Sequence, residues 1–488
     1  MSESEVVENP QTSSLSSQRS ERMRRIKLSI FTAVLTRPLA VVISLVTIPL
    51  FLNYFDDEHY GLYAIAVALG AWFHLTNLGL GLGLMNKLTD CHVAEDRATA
   101  VRAVSTMMVT VSGIALGGMI IWSAASFWIP WHLVFRNVSP QTMSELPWVF
   151  WLAGLLTLVG VVIRVPTPIY SAYQELHRNN LWDGLSKLAT LGACIGVVFT
   201  PFGLIGVVLA VLGTPVLIRS INVMVLFGYE KRWLLPRPSL FDPALFKPLI
   251  VQSLGLFVLQ MAVVALFQAD KLIIGIVIGL VHVTPYEVLG KLFLTLYGVY
   301  RLVLAPLWPA HGEAIRRGDL GWTRKIMRLS LLLGCGLPLA FGLIMVVWGP
   351  EIIDLWTRGQ ALEFSVPLIV AFTSMFALRA WSDGHSILLN TMGVIKPQAI
   401  FLVTQAVLNI ILAITLAHWF GVVGVAWSAS ITALLTTAWG YPWMIRRYLF
   451  NRAEQGTTDL IIAPIEPDQV EKRDRMTTLP PPPQDRGR

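Results

Sequence analysis

The sequence predicts an all-α integral membrane protein, with about twelve transmembrane helices in two pseudo-symmetric six-helix lobes. Three observations carry this. First, 55% of the 488 residues are apolar, only 14% are charged, and the mean hydropathy is +0.62. A soluble protein of average composition has about 25% charged residues, which cover its outside. The balance therefore excludes a soluble enzyme and a disordered chain. Second, the apolar residues gather into runs of about 20, the length that crosses a bilayer as a helix. Third, 27 Lys and Arg lie in the N-tail, the C-tail and every second loop, against two, Arg136 and Arg358, in the loops between. Such an asymmetry places both termini in the cytoplasm. The formal net charge of +7 thus reports orientation before it reports nucleic acid. Three cysteines make no disulfide framework, and Cys91, Cys194 and Cys335 are expected as free thiols.

The elements follow in order. Residues 1–26 form a polar N-tail ending in Arg22, Arg24 and Arg25. No short apolar core with a small-residue cleavage site comes after it, so the first long run is expected to stay as an anchor. Spans are expected at 27–54, 59–85, 102–126, 147–171, 181–201 and 204–228, which make an N-lobe, 27–228. A basic cytoplasmic linker, 229–248, leads to spans at 249–279, 286–310, 326–348, 366–390, 397–418 and 421–445, a C-lobe over 249–445. The run 249–279 reads as one long tilted helix, or as a helix plus an interfacial piece beyond Asp270. The C-tail, 446–488, is polar, ends in a proline run (Pro480 to Pro483) and is expected to be disordered. The halves echo one another. Phe55 to Gly61 after the first span matches Pro285 to Gly290 after the seventh, and Arg164 and Arg379 take similar places in the fourth and tenth. This pattern implies two lobes of the same orientation.

Eight basic residues fall within spans: Arg37, Arg164, Lys187, Arg219, Lys271, Lys291, Arg301 and Arg379. Several can reach a helix end and snorkel. Arg37, Arg301 and Arg379 sit near mid-span, where each costs about 2.5–3.5 kcal/mol, on the order of 9 kcal/mol together. Few acids are at hand to offset this. Asp383, one turn after Arg379, is its natural partner. The excess of positive charge points to a hydrated cationic cavity for an anion, with Arg37, Arg301, Arg379, Arg164, Lys291 and Arg219 as its substrate-binding candidates. Arginine suits phosphate because its fork donates two parallel hydrogen bonds. Prolines follow the arginines at Pro38, at Pro166 and Pro168, and at Pro306 and Pro309, as expected of broken helices lining a cavity. Asp270, Asp383, His74 and His311 are candidates for ion coupling. No phosphate-binding loop and no metal-ligand spacing occurs, so no enzyme activity, ATP-driven pumping, cofactor or metal is expected.

With these residues in view the chain resembles the polysaccharide or O-antigen flippases of the multidrug/oligosaccharidyl-lipid/polysaccharide (MOP) exporter superfamily. Three stretches carry the resemblance: Phe55 to Gly61 running into Leu-Tyr-Ala; NLGLGLG (77–83) with the basic loop and AVST (103–106); and PLWPAHGEAIRRGDLGWTRKIMRLS (306–330). It covers essentially residues 25–450. The family pattern has Asp where Asn77 stands, which removes a proton-coupling role from that position. The resemblance implies a two-lobed alternating-access flippase in the bacterial inner membrane. Its cargo would be a polyprenyl-diphosphate-linked oligosaccharide, its surroundings membrane lipids, and its partners a polysaccharide polymerase and a chain-length regulator, with no nucleic acid. Two rivals remain at this stage. A MATE-type multidrug exporter would need acids in the cavity, where Arg37 stands instead. An integral-membrane glycosyltransferase would use paired acids in the first external loop, where Asp56, Asp57 and Glu58 lie; the bland reading is an acidic turn outside the membrane.

Overall fold

The computed structural model describes residues 10–77, 79–135, 138–304, 306–357 and 364–450. The C-tail beyond 450, Arg136, Arg358 and the side chains of Arg37 and Asn77 lie outside the described residues. Among the described residues the chain is helical almost throughout. Twelve crossings account for it, and several are broken rather than straight.

The first crossing, α1 (Pro10–Leu52), begins well before the expected residue 27 and holds Pro38 and Pro49 within it. The basic start of this helix is fastened to the protein: Arg25 donates to the Tyr173 carbonyl at 3.0 Å and lies 3.9 Å from Glu175. The second crossing is split. Its outer part is α2 (Asp57–Phe73), capped by Asp56, whose carboxylate accepts from the His59 N–H at 2.8 Å. A 3-10 turn, His74–Asn77, follows. Gly79, at a φ of 71° that favours a residue without a Cβ, then starts α3 (Leu80–Val93). The third is α4 (Arg97–Trp128), capped by Asp96. After the short α5 (Trp131–Val134), the fourth runs as α6 (Pro140–Val162) and α7 (Pro166–Ala172). Proline at the head of α7 cannot carry the hydrogen-bond ladder through, so the helix breaks at 163–165. The fifth is α8 (Leu176–Val197). The sixth strings together α9 (Gly203–Val208), a π turn at Leu209–Gly213, α10 (Thr214–Val225) and a second π turn at Leu226–Glu230.

The second half starts with α11 (Pro243–Ile273), one continuous helix prolonged by a π turn at Ile274–Ile278. Asp270 is thus inside a helix and not beyond its end. Next come α12 (Val283–Leu304) and α13 (Leu307–Arg316). The expected span 286–310 is therefore cut short before Pro306, and Arg301 falls in the last turn of α12, not at mid-span. The ninth crossing is α14 (Leu320–Thr357), bent at Trp348 just before Pro350, and the tenth is α15 (Val366–Thr391). The last two form a continuous helical stretch, α16 (Ile395–Leu435), that turns sharply at Gly421, with φ 58°. A short α17 (Thr437–Ile445) completes it. Among the described residues six helical segments are long and apolar enough outright to cross a bilayer. The others carry charges or breaks, and Ile395–Tyr448 holds two crossings in one segment.

Packing follows the two halves. In the first, α1 lies along α8, α4 along α6, and α3 between α4 and α7. In the second, α15 packs on α14, α12, α16 and α17, and α11 packs on α16. The halves meet where α2 touches α11, α12 and the turn at 280–282, and where α11 also lies against α3 and α4. The α2 seam lies on the side opposite the start of α1. A Cβ at Gly61 would come within 2.2 Å of the Leu280 carbonyl oxygen, so only glycine fits there. The Thr284 hydroxyl donates to the Asp57 carbonyl at 2.6 Å, the Trp356 indole to the Leu45 carbonyl at 2.9 Å, and the Asn53 amide to the Thr357 carbonyl at 3.3 Å. One apolar cluster runs across the seam, with Phe51, Tyr60 and Ile65 from one half and Ile274, Val283 and Phe293 from the other. Close packing of this kind, with small residues letting backbones approach, is what binds helices in lipid.

Candidate functional site

The charges gather in three places along the crossings. In the first half, Arg164 stands in the gap between α6 and α7 and is exposed. Arg219 of α10 holds Asp183 of α8 at 2.6 Å. Arg164 interacts electrostatically with both, and His74, in the 3-10 turn of the second crossing, with both arginines. Lys187, one turn after Asp183, donates to the Thr36 carbonyl at 3.2 Å, beside Arg37 in the chain. Three cations and one anion thus share a small region of the first half.

At the seam, Glu287 of α12 is buried between two ammonium groups. Lys271 lies at 2.6 Å and Lys291, one turn along the same helix, at 3.3 Å. Lys291 also faces the Tyr63 ring, 5.9 Å from its centre. The trio has a net charge of +1. Burying three charges is costly, and the mutual contacts are what make it tolerable.

In the second half, Arg379 lies 3.6 Å from Asp383, the pair that their one-turn spacing predicts. The Tyr297 hydroxyl donates to the same carboxylate. Arg379 stacks over Phe267 with 4.2 Å to the ring centre, and its buried Nε has no hydrogen-bond acceptor among the described residues. That Nε is the atom facing the Asp383 carboxylate, so the pair is a loose ion pair and not a close hydrogen bond. Tyr297, Tyr300, Phe293, Phe372 and Phe376 form an aromatic wall beside it.

Asp270 stands apart from these pairs. It is 3% exposed and accepts from the Tyr286 hydroxyl at 2.7 Å and the Asn409 amide at 3.2 Å. The Ser428 hydroxyl completes the chain by donating to the Asn409 carbonyl oxygen at 2.9 Å. No ion pair reaches Asp270 among the described residues.

The remaining candidates scatter. Arg301 is exposed at the end of α12 and makes no ion pair among the described residues. His311, on α13, is buried with an unpartnered Nδ1 and its ring against Trp322, away from the three clusters. Two residues matter that the inventory of isolated cations leaves out. Asp183 offsets Arg219 and Glu287 offsets one of its two lysines, so the interior is less positive than the cations alone imply. The signal was present in both cases, since each acid has a lysine four residues on (Lys187, Lys291).

The acidic turn at 56–58 has a structural task. Asp56 caps α2 and holds the His59 imidazole at 2.7 Å, and Glu58 accepts from the Ser139 backbone N–H and hydroxyl at 3.0 and 2.8 Å. Burial works to raise the Asp56 carboxyl, but the His59 N–H and imidazole outweigh it and hold it below the usual carboxylate value. These acids tie α2 to the start of α6.

The chain is similar to known transporters along most of its length. It is 23% identical over 407 residues to a Salmonella typhi protein named as an O-antigen transporter, covering 82% of this chain and 91% of the relative. A Yersinia pseudotuberculosis protein named as an O-antigen export protein is 20% identical over 444 residues, with 84% and 93% covered. No protein-family model matches the chain. Among solved structures, an inward-facing multidrug-resistance MATE transporter of the MOP superfamily superimposes with a TM-score of 0.69, at 14% identity, covering 87% of this chain and 98% of the other. The lipid II flippase MurJ gives 0.66 at 15% identity, with 86% and 87% covered. The fold is therefore the two-lobed helical fold of MOP transporters.

Proposed function

We propose that this protein is a flippase that carries a polyprenyl-diphosphate-linked oligosaccharide, such as an O-antigen or exopolysaccharide repeat unit, from the inner to the outer leaflet by alternating access. The observation that carries the reading is the combination of an Arg- and Lys-bearing interior with relatives named for O-antigen transport over more than 80% of the chain. The setting is the bacterial inner membrane with both termini cytoplasmic, as the 27-to-2 loop asymmetry favours. The N-lobe, 27–228, and the C-lobe, 249–445, are the moving bodies, joined by the linker 229–248. A polysaccharide polymerase and a chain-length regulator are the expected partners downstream.

In the proposed cycle the diphosphate head enters between the lobes while the polyprenyl chain stays in lipid. Arg164 and Arg379 are its first contacts, because one is exposed in a helix break and the other is held only loosely by Asp383. Arg219 and Lys291 are held by carboxylates and set the field around them, and Arg37 and Arg301 are the further candidates for the head group. The distal seam then opens and the head leaves on the far side. Two negative charges moving outward against an interior-negative potential gain about 4–5 kcal/mol per 100 mV. Coupling to a proton or cation adds to this and does not replace it. Asp270 is the foremost coupling group, with Asp383, His74 and His311 after it.

The test is mass spectrometry of lipid-linked intermediates from cells without the protein and from complemented cells. Complete oligosaccharide units should accumulate in the deletion strain. Units lacking one sugar would instead indicate a failed glycosyl transfer and overturn the reading. In the same assay Arg379→Ala should lose at least tenfold in export at normal protein level, with Arg379→Lys intermediate, because a lysine keeps the charge but not the fork.

A further inference from the structure

One hollow in the second half has no part in the transport path proposed above. It measures about 330 Å³ and lies where the first turns of α14 meet the ends of α15 and α17. Met327 and Leu331 of α14, Leu388 of α15 and Ile445 of α17 make its apolar wall, and the last three are buried side chains. Three helices thus enclose it, and its volume is within the roughly 300–1,000 Å³ of ordinary ligand sites. Its border is basic. Arg328 lines it, and Arg446 and Arg447 directly follow Ile445 in the chain. Arg328 and Arg446 are exposed and make no ion pair among the described residues. No acid stands among the described residues that line the hollow.

The chain itself carries a segment of matching chemistry. The C-tail has one aliphatic run, Leu460-Ile461-Ile462-Ala463-Pro464-Ile465, in otherwise polar sequence. Consecutive aliphatic residues left in water are a liability unless they serve a contact. Asp459 stands directly before the run, and Glu466 and Asp468 follow it. From Ala453 to Glu471 the tail has five acids and no Lys or Arg, in a chain whose net charge is +7. An apolar centre with acidic flanks is the complement of an apolar hollow with a basic border. Pro464 and Pro467 favour extended backbone in the residues before them, which lowers the cost of ordering the segment. The tether is short enough. Ile445 is in the wall of the hollow, the described chain ends at Phe450, and residues 451–459 can span up to about 30 Å. A short tether of this kind holds its segment at millimolar effective concentration, so a weak contact suffices. We infer that residues 459–466 of the chain's own C-tail dock in this hollow. The aliphatic side chains fill it, and the flanking carboxylates face Arg328 and Arg446. Docked there, the tail straps together the ends of α14, α15 and α17 on the side of the termini.

The test uses the purified full-length protein with Cys91→Ser, Cys194→Ser and Cys335→Ser, and with Met327→Cys as its one thiol. A water-soluble maleimide should label that thiol at least tenfold more slowly than in the same protein ended at Phe450. Ile461→Asp/Ile462→Asp in the full-length chain should label as fast as the shortened protein. That variant leaves every helix untouched, so a faster rate reports lost docking and not a damaged fold. Asp459→Asn/Glu466→Gln/Asp468→Asn should give part of the same increase. A synthetic peptide of residues 457–468 should slow labelling of the shortened protein saturably, and the peptide with both aspartate substitutions should not. Equal rates with and without the tail, or a peptide that gives no protection, would overturn the inference. Slow labelling of both proteins that rises only on delipidation would also overturn it, because an acyl chain would then fill the hollow. Protection that disappears on dilution would do the same, since the occupant would then be a second copy's tail.

Discussion

At the residue scale, what distinguishes the interior is how few of its charges are left alone. Glu287 is the clearest case, since Lys271 and Lys291 close on the two oxygens of one buried carboxylate. Removing its charge leaves two ammonium groups facing each other in a buried place. Breaking a buried pair from one side costs about 3–5 kcal/mol. Glu287→Gln should therefore lower the unfolding midpoint in detergent markedly, while Glu287→Gln/Lys291→Met should recover much of the loss. If the double variant is as unstable as the single one, packing rather than charge sets the effect. Asp270 allows a different test. Asp270→Asn keeps the size and the hydrogen-bonding reach of the group but cannot ionise. If the node carries a proton or cation, the variant should fold and bind cargo but lose the response of transport to an imposed ion gradient. A variant whose export still follows the gradient would remove Asp270 from the coupling path. The sequence offered Asp270 as a coupling candidate near a helix end, and it predicted the Arg379–Asp383 pair from their one-turn spacing. It hid the seam trio because Lys271 and Glu287 are sixteen positions apart, and only the fold brings them together.

At the element scale, the breaks were harder to read than the helices. Hydropathy marks a crossing because it averages over about 20 residues. The same averaging conceals a turn of four or five residues, such as His74–Asn77 or the π turn at Ile274–Ile278. Proline gave the location of the break before α7 and of the end of α12, since a missing N–H stops the ladder at a known place. It gave nothing at Leu209–Gly213, where no proline interrupts the run. The contact between α2 and the turn at 280–282 lives at this scale too. Gly61 brings the α2 backbone against the Leu280 carbonyl, and a side chain there has nowhere to go. Gly61→Leu should hold the distal seam apart. In a cysteine-free background carrying Thr284→Cys, it should raise labelling by a membrane-impermeant maleimide several-fold from the distal side. Unchanged labelling with normal expression would mean that the seam absorbs the side chain without opening.

At the scale of the whole molecule, crossing number, two-fold plan and charge asymmetry were all legible, because each is a sum over many residues. The question left to the whole molecule is whether its halves move as units. The seam gives a direct handle. Asn53 follows α1 and Thr357 ends α14, and the Asn53 amide reaches the Thr357 carbonyl across the seam at 3.3 Å. Just below, the Trp356 indole holds the Leu45 carbonyl. If cargo leaves through the seam, these contacts must break in every cycle. A single neutral hydrogen bond is worth only about 0.5–1.5 kcal/mol net, so a few of them can close the seam without trapping it. A covalent link is another matter. Asn53→Cys with Thr357→Cys, bridged by a short bifunctional methanethiosulfonate reagent, should stop export, and dithiothreitol should restore it. Each single cysteine treated alike should export normally. The rescue by reductant matters, because it shows that the bridge blocks a motion and has not damaged the fold. Export that continues in fully bridged protein would require the head to cross with the distal seam shut, and rocking of two rigid lobes would have to be given up.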